Sequence, residues 1–488
     1  MQNTATEDAG ADQGESATPA SPYTQLPVPL PTDSSTVYAV TDFPALSLFD
    51  ERTEYPALLI PVKLTAKLRN TLKHVILRRP KMKNVYAAPD GNAAQRLLVL
   101  DNNTTTATDD DDDDDNAFQD PVVVELLKSG DCSRTTYAAT RTYDDFTVDQ
   151  ILRKLLPATL TEIPSAWETI GRLAHMNLRE HVLPFKYWIG KVVLDKNQPT
   201  IQTVVNKLSS IDTVYRTFGM QVIAGSDEPG WSHVTVKEEG CAFDLDFTAV
   251  YWNSRLAGEH RRLVQLIQEQ AAASGKRETV VADLMAGVGP FAVPLTRPLD
   301  TNNKSNDQQQ PQPHITVYAN DLNPASYKYL TINSTKNKCR NLNCFNVDGR
   351  ALVHQLQNDR IGIDHVIMNL PKTAPDFLDA FRGYTGIEMP RIHVHCFAPK
   401  LSEAQDYQDA VDRCATALGC PLLRETDRVQ VHVVRDVSPN KNMLCVSFTL
   451  PDQARSLQRL SLELLPVTPL VDADEPNAKR PKVDTTSD

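Results

Sequence analysis

From Thr279 the chain alternates short apolar runs with helical segments: TVVADLM, PFAVPL, ITVYAN, PASYKYLTINSTKNK, LNCFNV, ALVHQLQN and DHVIMN. Strands joined by helical crossovers return to the same edge of a sheet, so they pair in parallel with right-handed connections. The alternation predicts an α/β architecture with a mostly parallel, Rossmann-like sheet. Two last apolar runs, RVQVHVVRDV and NMLCVSFTL, are divided by a Ser-Pro-Asn-Lys turn and predict an antiparallel hairpin at the sheet edge.

Such sheets bind ligands at the carboxyl ends of their strands. After the first strand comes DLMAGVGPFA, in which Gly287, Gly289 and Ala292 fill a G-x-G-x-x-[G/A] pattern and Pro290 stands where a helix would begin. The second strand ends in Asn320-Asp321-Leu322, an acid placed to bind ribose hydroxyls. Asp321 lies 32 residues beyond Gly289, but 14 of these form the low-complexity loop DTNNKSNDQQQPQP at 300–313, and 18 remain without it. The third strand ends in Asp348-Gly349-Arg350 and the fourth in Asn369-Leu370-Pro371. Each Asp singly is equally well read as a helix cap. Four polar strand ends together point to a nucleoside-bearing cofactor, a dinucleotide or S-adenosylmethionine, and the edge hairpin with Asn-Leu-Pro favours the second.

Charge needs to be located before it excludes anything. The formal net charge is -12. Residues 1–36 carry five acids and no Lys or Arg, residues 101–116 carry Asp101 and the run Asp109 to Asp115, and the tail from Val471 adds -2, so the remainder sums to +3. Eight cations, including Lys63, Lys67, Arg78 and Arg79, fall between Pro61 and Val85 with no acid among them. That stretch is a candidate phosphate-binding surface. No apolar run approaches the roughly 20 residues of a membrane-spanning helix, so no membrane partner is expected. The eight cysteines form no CxxC pair, and a reducing compartment is expected. His393-x-His395 lacks a completing motif, and no metal is expected.

Five segments follow. They are an acidic, structureless start at 1–36; a small domain at 37–164 with an acidic loop at 101–116; a middle α+β domain at 165–257, where IGKVVLD, TVVNKLSSI and MQVIAG alternate like strands; a cofactor-binding domain at 258–470; and a tail at 471–488 whose NAKRPKVD resembles a nuclear import signal.

The strings NSRLAGEHRRL at 253, DLMAGVGPFAVP at 283, NDLNPASYKYLTINSTKNK at 320, DGRALV at 348, MNLPKTAPDFLDAF at 368 and HVVRDVSPNKNMLCVSF at 432 together resemble the archaeal and eukaryotic tRNA (guanine-37 N1)-methyltransferases. The resemblance implies a class I S-adenosylmethionine-dependent fold preceded by smaller domains. It implies transfer of a methyl group to N1 of guanosine 37 in the anticodon loop, the first step toward wybutosine in tRNA-Phe, by a monomer. The tail signal implies a nuclear as well as a cytoplasmic location; the resemblance allows a mitochondrial matrix form, which the acidic start does not itself predict. The alternatives are the related aminocarboxypropyltransferase of wybutosine synthesis, disfavoured by Asp321 and Asn369, and a non-catalytic tRNA-binding factor.

Alkylating guanine N1 requires an acceptor for its proton and a donor for charge growing on O6. By position in the family motifs, Glu259 is the candidate base and Arg216 the candidate O6 donor, while Asn369 holds the guanine edge and Pro371 shapes the pocket. The resemblance assigns His260, Ala286, Gly287, Gly289, Asp321, Leu322, Asp348, Gly349 and Asn369 to the cofactor. Tyr251 and Arg255, just before the Glu259 helix, are candidates for contact with an extruded base, and the first domain with Lys63, Lys67, Arg78 and Arg79 is the expected grip on tRNA.

Overall fold

A computed structural model describes residues 25–26, 36–79, 82–101, 116–208, 219–298, 314–400 and 403–459. Residues 102–115 of the acidic loop, the 300–313 insertion, Lys81, Arg216 and the tail lie outside the described residues. Contacts divide the chain into two compact units, one reaching Leu208 and including Met220–Pro229, the other running from Gly230.

The first unit opens with β1 (Glu51–Pro61), α1 (Thr65–Thr71), β2 (Val85–Ala87), β3 (Gln95–Val99), α2 (Pro121–Lys128) and β4 (Ser133–Arg141). The strands form an antiparallel sheet in the order β2-β3-β1-β4. Alternation along β1 decides its faces. Leu58 and Ile60 pack with Leu68 and Leu72 of the α1 region, while Tyr55 and Ala57 face Leu97 and Val99 on the other side. α2 begins where Asp120 caps the backbone N–H groups of Val122 and Val123 and Pro121 takes the first helical position.

Further along lie α3 (Val148–Leu155), β5 (Glu168–Ile170), β6 (Leu173–Met176), α4 (Lys186–Asn197), β7 (Thr203–Lys207) and β8 (Met220–Gly225), with a second sheet in the order β5-β6-β7-β8. Two expectations are corrected here. The run IGKVVLD is not a strand but lies within α4, because Trp188, Ile189, Val192 and Val193 recur at helical spacing and all enter one core. Leu26, inside the segment expected to be structureless, donates its N–H to the Lys154 carbonyl and packs on that same core.

The second unit begins with a hairpin, β9 (His233–Glu238) and β10 (Cys241–Asp246), followed by α5 (Ala257–Ser274). Then come β11 (Thr279–Asp283), α6 (Ala292–Thr296), β12 (Ile315–Asn320), α7 (Pro324–Lys336), β13 (Leu342–Phe345), α8 (Gly349–Asn358), β14 (His365–Met368), β15 (Arg391–Pro399), α9 (Glu403–Leu418), β16 (Gln430–Ser438) and β17 (Lys441–Thr449). The sheet order is β13-β12-β11-β14-β15-β17-β16, parallel through β15 and closed by the antiparallel β16–β17 hairpin. α5 and α6 cover one face and α8 and α9 the other, giving two cores. This is the doubly wound arrangement that the alternation predicts.

The sequence reading placed its boundary at 257, whereas the contacts place it at 229/230. α7 supplies the reason. Asn333 and Asn337, one turn apart, bond the backbone of β10: Asn333 Oδ1 accepts from the Asp244 N–H at 2.7 Å, and Asn337 Oδ1 accepts from the Ala242 N–H at 2.9 Å. Their amide nitrogens return bonds to the carbonyls of Asp244 and Ala242. The hairpin is thus tied to the parallel sheet's own helix layer.

Candidate active site

The turn after β11 owes its shape to its glycines. Gly287 and Gly289 have φ of +56° and +97°, values that side chains rarely adopt. A Cβ on Gly289 would stand 2.8 Å from Leu330 and Val293, so that position is a packing requirement. A Cβ on Gly287 would meet nothing within 4 Å, so Gly287 faces open space where a ligand can approach the backbone. The helix expected at Pro290 starts only at Ala292 and spans five residues, so the turn rather than a long helix dipole forms the cradle.

Asn320 fixes this edge. Its buried amide donates to the carbonyls of Leu284 and Val347 at 3.1 and 2.9 Å and accepts from the Val347 N–H at 2.9 Å, while its own carbonyl accepts from Ala286 at 2.7 Å. One side chain stitches together the ends of three strands. The only sequence signal was its place directly before the acid.

Asp321 follows. Its Oδ2 accepts from the Gly287 N–H and its Oδ1 from the Asn323 N–H, both at 2.9 Å, which leaves acceptor positions for hydroxyls. Burial raises its pKa, opposed by those two N–H groups and by Ser326. Beside it Leu322 is 44% exposed, an apolar surface at the strand end suited to one face of a planar base. Asp348 caps α8, accepting from the Arg350 N–H at 2.8 Å, and Gly349 is buried against Leu284. At the end of β14, next to β11 in the sheet, the Oδ1 of Asn369 is buried with no hydrogen-bond partner. Pro371 is buried, and its carbonyl accepts from the Phe397 N–H at 3.1 Å.

Glu259 is buried in the first turn of α5. Arg262 grips it with two bonds of 2.6 Å, and His395 Nε2 lies 2.7 Å from its Oε1. Burial favours the protonated acid, but Arg262 and His395 outweigh it and bring the carboxyl down to about 2. Burial likewise opposes a charged His395, but Cys445 and Glu259 raise it to about 10. Sequence reading missed both partners: Arg262 stands three residues along the same helix, a spacing that puts the two on one face, whereas no pattern links Glu259 to His395, 136 residues away. His260 turns away from Glu259: its Nδ1 lies 2.6 Å from Glu238 of β9, and its ring meets Phe291 edge-on at 4.8 Å.

His393 and His395 share a strand face as expected, but they have separate partners. His393 contacts Ser447 at 2.8 Å and His365 at 3.3 Å. His395 stands with Glu259 and Cys445, whose ligand atoms all lie within 4.8 Å of one another. The Arg262 guanidinium already occupies both oxygens of Glu259, so the group reads as a hydrogen-bonded network.

Tyr251 is exposed ahead of α5, as is Arg255, whereas Trp252 packs against Phe243 in the interior. In the first unit Lys63, Lys67, Arg69, Lys73, Arg78 and Lys83 are exposed, and the half-buried Arg79 lies 3.8 Å from Asp101. Arg69 and Lys83 also line a cavity of about 370 Å³. The cations expected to meet phosphate are therefore on the surface.

Comparison with known proteins gives two family matches: the TYW2 N-terminal domain over residues 148–228 and the TRM5/TYW2 methyltransferase domain over 234–422. A tRNA (guanine(37)-N(1))-methyltransferase 1 from Phaeodactylum tricornutum is 57% identical over 450 residues, spanning 92% of this chain and 97% of its own. A tRNA (guanine(37)-N(1))-methyltransferase from Phytophthora infestans is 37% identical over 83% of this chain and 92% of its own. Among solved structures, Trm5b from Pyrococcus abyssi shares the fold with a TM-score of 0.54 at 21% identity, covering 81% of this chain and 99% of that one.

Proposed function

The chain belongs to the tRNA (guanine(37)-N(1))-methyltransferase family, and from that premise we propose how its own residues methylate N1 of guanosine 37 in tRNA, acting as a monomer. S-adenosylmethionine supplies the methyl group, on a sulfonium centre that makes it electrophilic. The open approach at Gly287 and the spare acceptor positions of Asp321 fit this cofactor. Asp321 takes the ribose hydroxyls, Leu322 one face of the adenine, and Asp348 with Gly349 its edge, while Ala286, Gly287, Gly289 and His260 border the remainder.

One observation carries the reading: the unpartnered, buried Oδ1 of Asn369 beside the glycine turn. A buried acceptor without a donor is costly, and the N–H groups of a guanine edge would satisfy it. Pro371 walls the same pocket. Glu259 receives the N1 proton. Arg216, which lies outside the described residues, remains the proposed donor to O6. The target base must leave its stack to expose N1, and the exposed Tyr251 and Arg255 are suited to hold it. The exposed cations Lys63, Lys67 and Arg78, with Arg79, are the proposed contacts with the tRNA backbone.

The test is to incubate the protein with methyl-labelled S-adenosylmethionine and tRNA transcripts bearing guanosine or adenosine at position 37, followed by nucleoside analysis. Label in 1-methylguanosine, only from the guanosine transcript, is expected; its absence would sink the reading. In a parallel incubation with cofactor labelled in its aminocarboxypropyl group, transfer of that label would point to the related transferase instead.

The cradle has its own test. Gly287→Ala puts a methyl group into open space and forces a left-handed conformation, at a cost of about 1–2 kcal/mol. Calorimetric titration should give cofactor affinity reduced tenfold or more with only a small change in melting temperature. Unchanged affinity would mean that the cofactor does not approach this backbone.

A further inference from the structure

Glu259 raises a question that its role as proton acceptor does not answer. Its side chain is 1% exposed, and both oxygens are already engaged. Two side chains hold it, Arg262 through both oxygens and His395 through Oε1. Arg262, three residues along the same helix and 28% exposed, can yield when a base enters. His395, on β15 and fully buried, cannot. Its imidazole stands within the sheet, opposite Cys445 of β17 and near Phe291 of the glycine turn. Its Nδ1 has no hydrogen-bond partner, while its Nε2 lies 2.7 Å from Glu259 Oε1 with the Cys445 thiol close by.

We propose that His395 is a positioning residue of the methyl transfer: its Nε2–H holds Glu259 Oε1 in place, so that Arg262 can release the other oxygen toward guanine N1. The proposal rests on Glu259 as acceptor of the N1 proton. The reaction's balance is unchanged by His395, because the N1 proton passes to Glu259 and His395 keeps its own. The buried histidine supplies orientation and a nearby positive charge that keeps the carboxylate ionised when Arg262 moves.

The groups facing this pair come from five elements. Arg262 is on α5, Asp283 ends β11, His393 neighbours His395 on β15, Cys445 is on β17, and His432 of β16 lies 3.8 Å from Glu259 Oε2. His432 is half exposed and its pKa is lowered by burial, then by Arg262, so it is a poor substitute for the His395 charge.

The experiment measures single-turnover methylation against pH for the full chain and its variants, with cofactor affinity and melting temperature as controls. His395→Leu, which removes both bond and charge, is expected to slow the reaction about tenfold or more. His395→Gln keeps a donor without the charge. It should recover most of the rate at neutral pH but lose rate toward the acid end of the assay, where the parent carboxyl stays ionised, with cofactor affinity and the KM for tRNA within about twofold of the parent. Arg262→Gln, on the partly exposed side, serves should the buried variants fold poorly: with His395 left to hold the carboxylate ionised, its rate should stay as flat toward acid pH as the parent's. A slow Glu259→Gln together with a parental rate and pH profile in His395→Leu would overturn the positioning role alone. If the buried variants do not fold, a rate that falls toward acid pH in Arg262→Gln overturns it. A parental rate in Glu259→Gln would overturn both this proposal and the assignment of the base.

Discussion

Replacing Glu259 by Gln is expected to slow single-turnover methyl transfer by roughly 10²-fold or more, in the range general-base removal usually costs, while cofactor affinity stays within a few-fold. The carboxyl, held down to about 2, is ionised throughout the pH range of the assay. A base so weak is poorly matched to free guanine N1 but suffices once the forming N–CH3 bond has made N1–H strongly acidic. The amide is isosteric but cannot accept that proton. It also leaves Arg262 and His395 without the charge that pairs them, so a loss of stability accompanies the loss of rate. Rapid-quench kinetics with saturating cofactor separates these effects, since a purely structural carboxylate would change melting temperature and cofactor binding but not the rate per bound complex.

The parallel sheet and its edge hairpin were legible because strand and helix periods alternate without exception from β11 to β14. The row of polar strand ends was legible for the same reason: Gly287, Asp321, Asp348 and Asn369 each follow a strand, and topology gathers strand ends. What escaped was tertiary. In α4 the adjacent Val192 and Val193 carry β-branched side chains that mimic a strand, yet both are buried on a helix packed into its core. The β9–β10 hairpin looks from sequence like part of the middle domain. Its allegiance is set by Asn333 and Asn337, whose bonds to β10 cross about 90 residues of chain. The Glu259 cage belongs to the same class, because His395 reads locally as one of two histidines on a strand and acquires meaning only when β15 passes beneath α5.

Asp283→Asn is expected to stabilise the cofactor-free protein at pH 8 and to flatten its stability against pH. Asp283 ends β11 fully buried, and neither oxygen has a well-aligned donor. Burial, then the charge of Asp321, pushes its pKa up to about 8, against weaker pulls from the Met285 N–H and His395. In the unfolded chain the same carboxyl releases its proton near pH 4. Between these values the folded state binds the extra proton, so the contribution of Asp283 is fully present below about pH 4, falls as pH rises, and has gone above about pH 8. Across the whole window it is worth up to roughly 5 kcal/mol. The asparagine carries no ionisable proton, so its advantage should vanish near pH 5 and grow toward pH 8, where a rise in melting temperature of about 5–10 °C is expected. Asp321, also raised by burial, supplies the slope that remains. Thermal melts of both proteins at pH 5, 6.5 and 8 decide the matter: parallel curves would mean that Asp283 is ionised in the fold and that the turn tolerates two buried negative charges side by side.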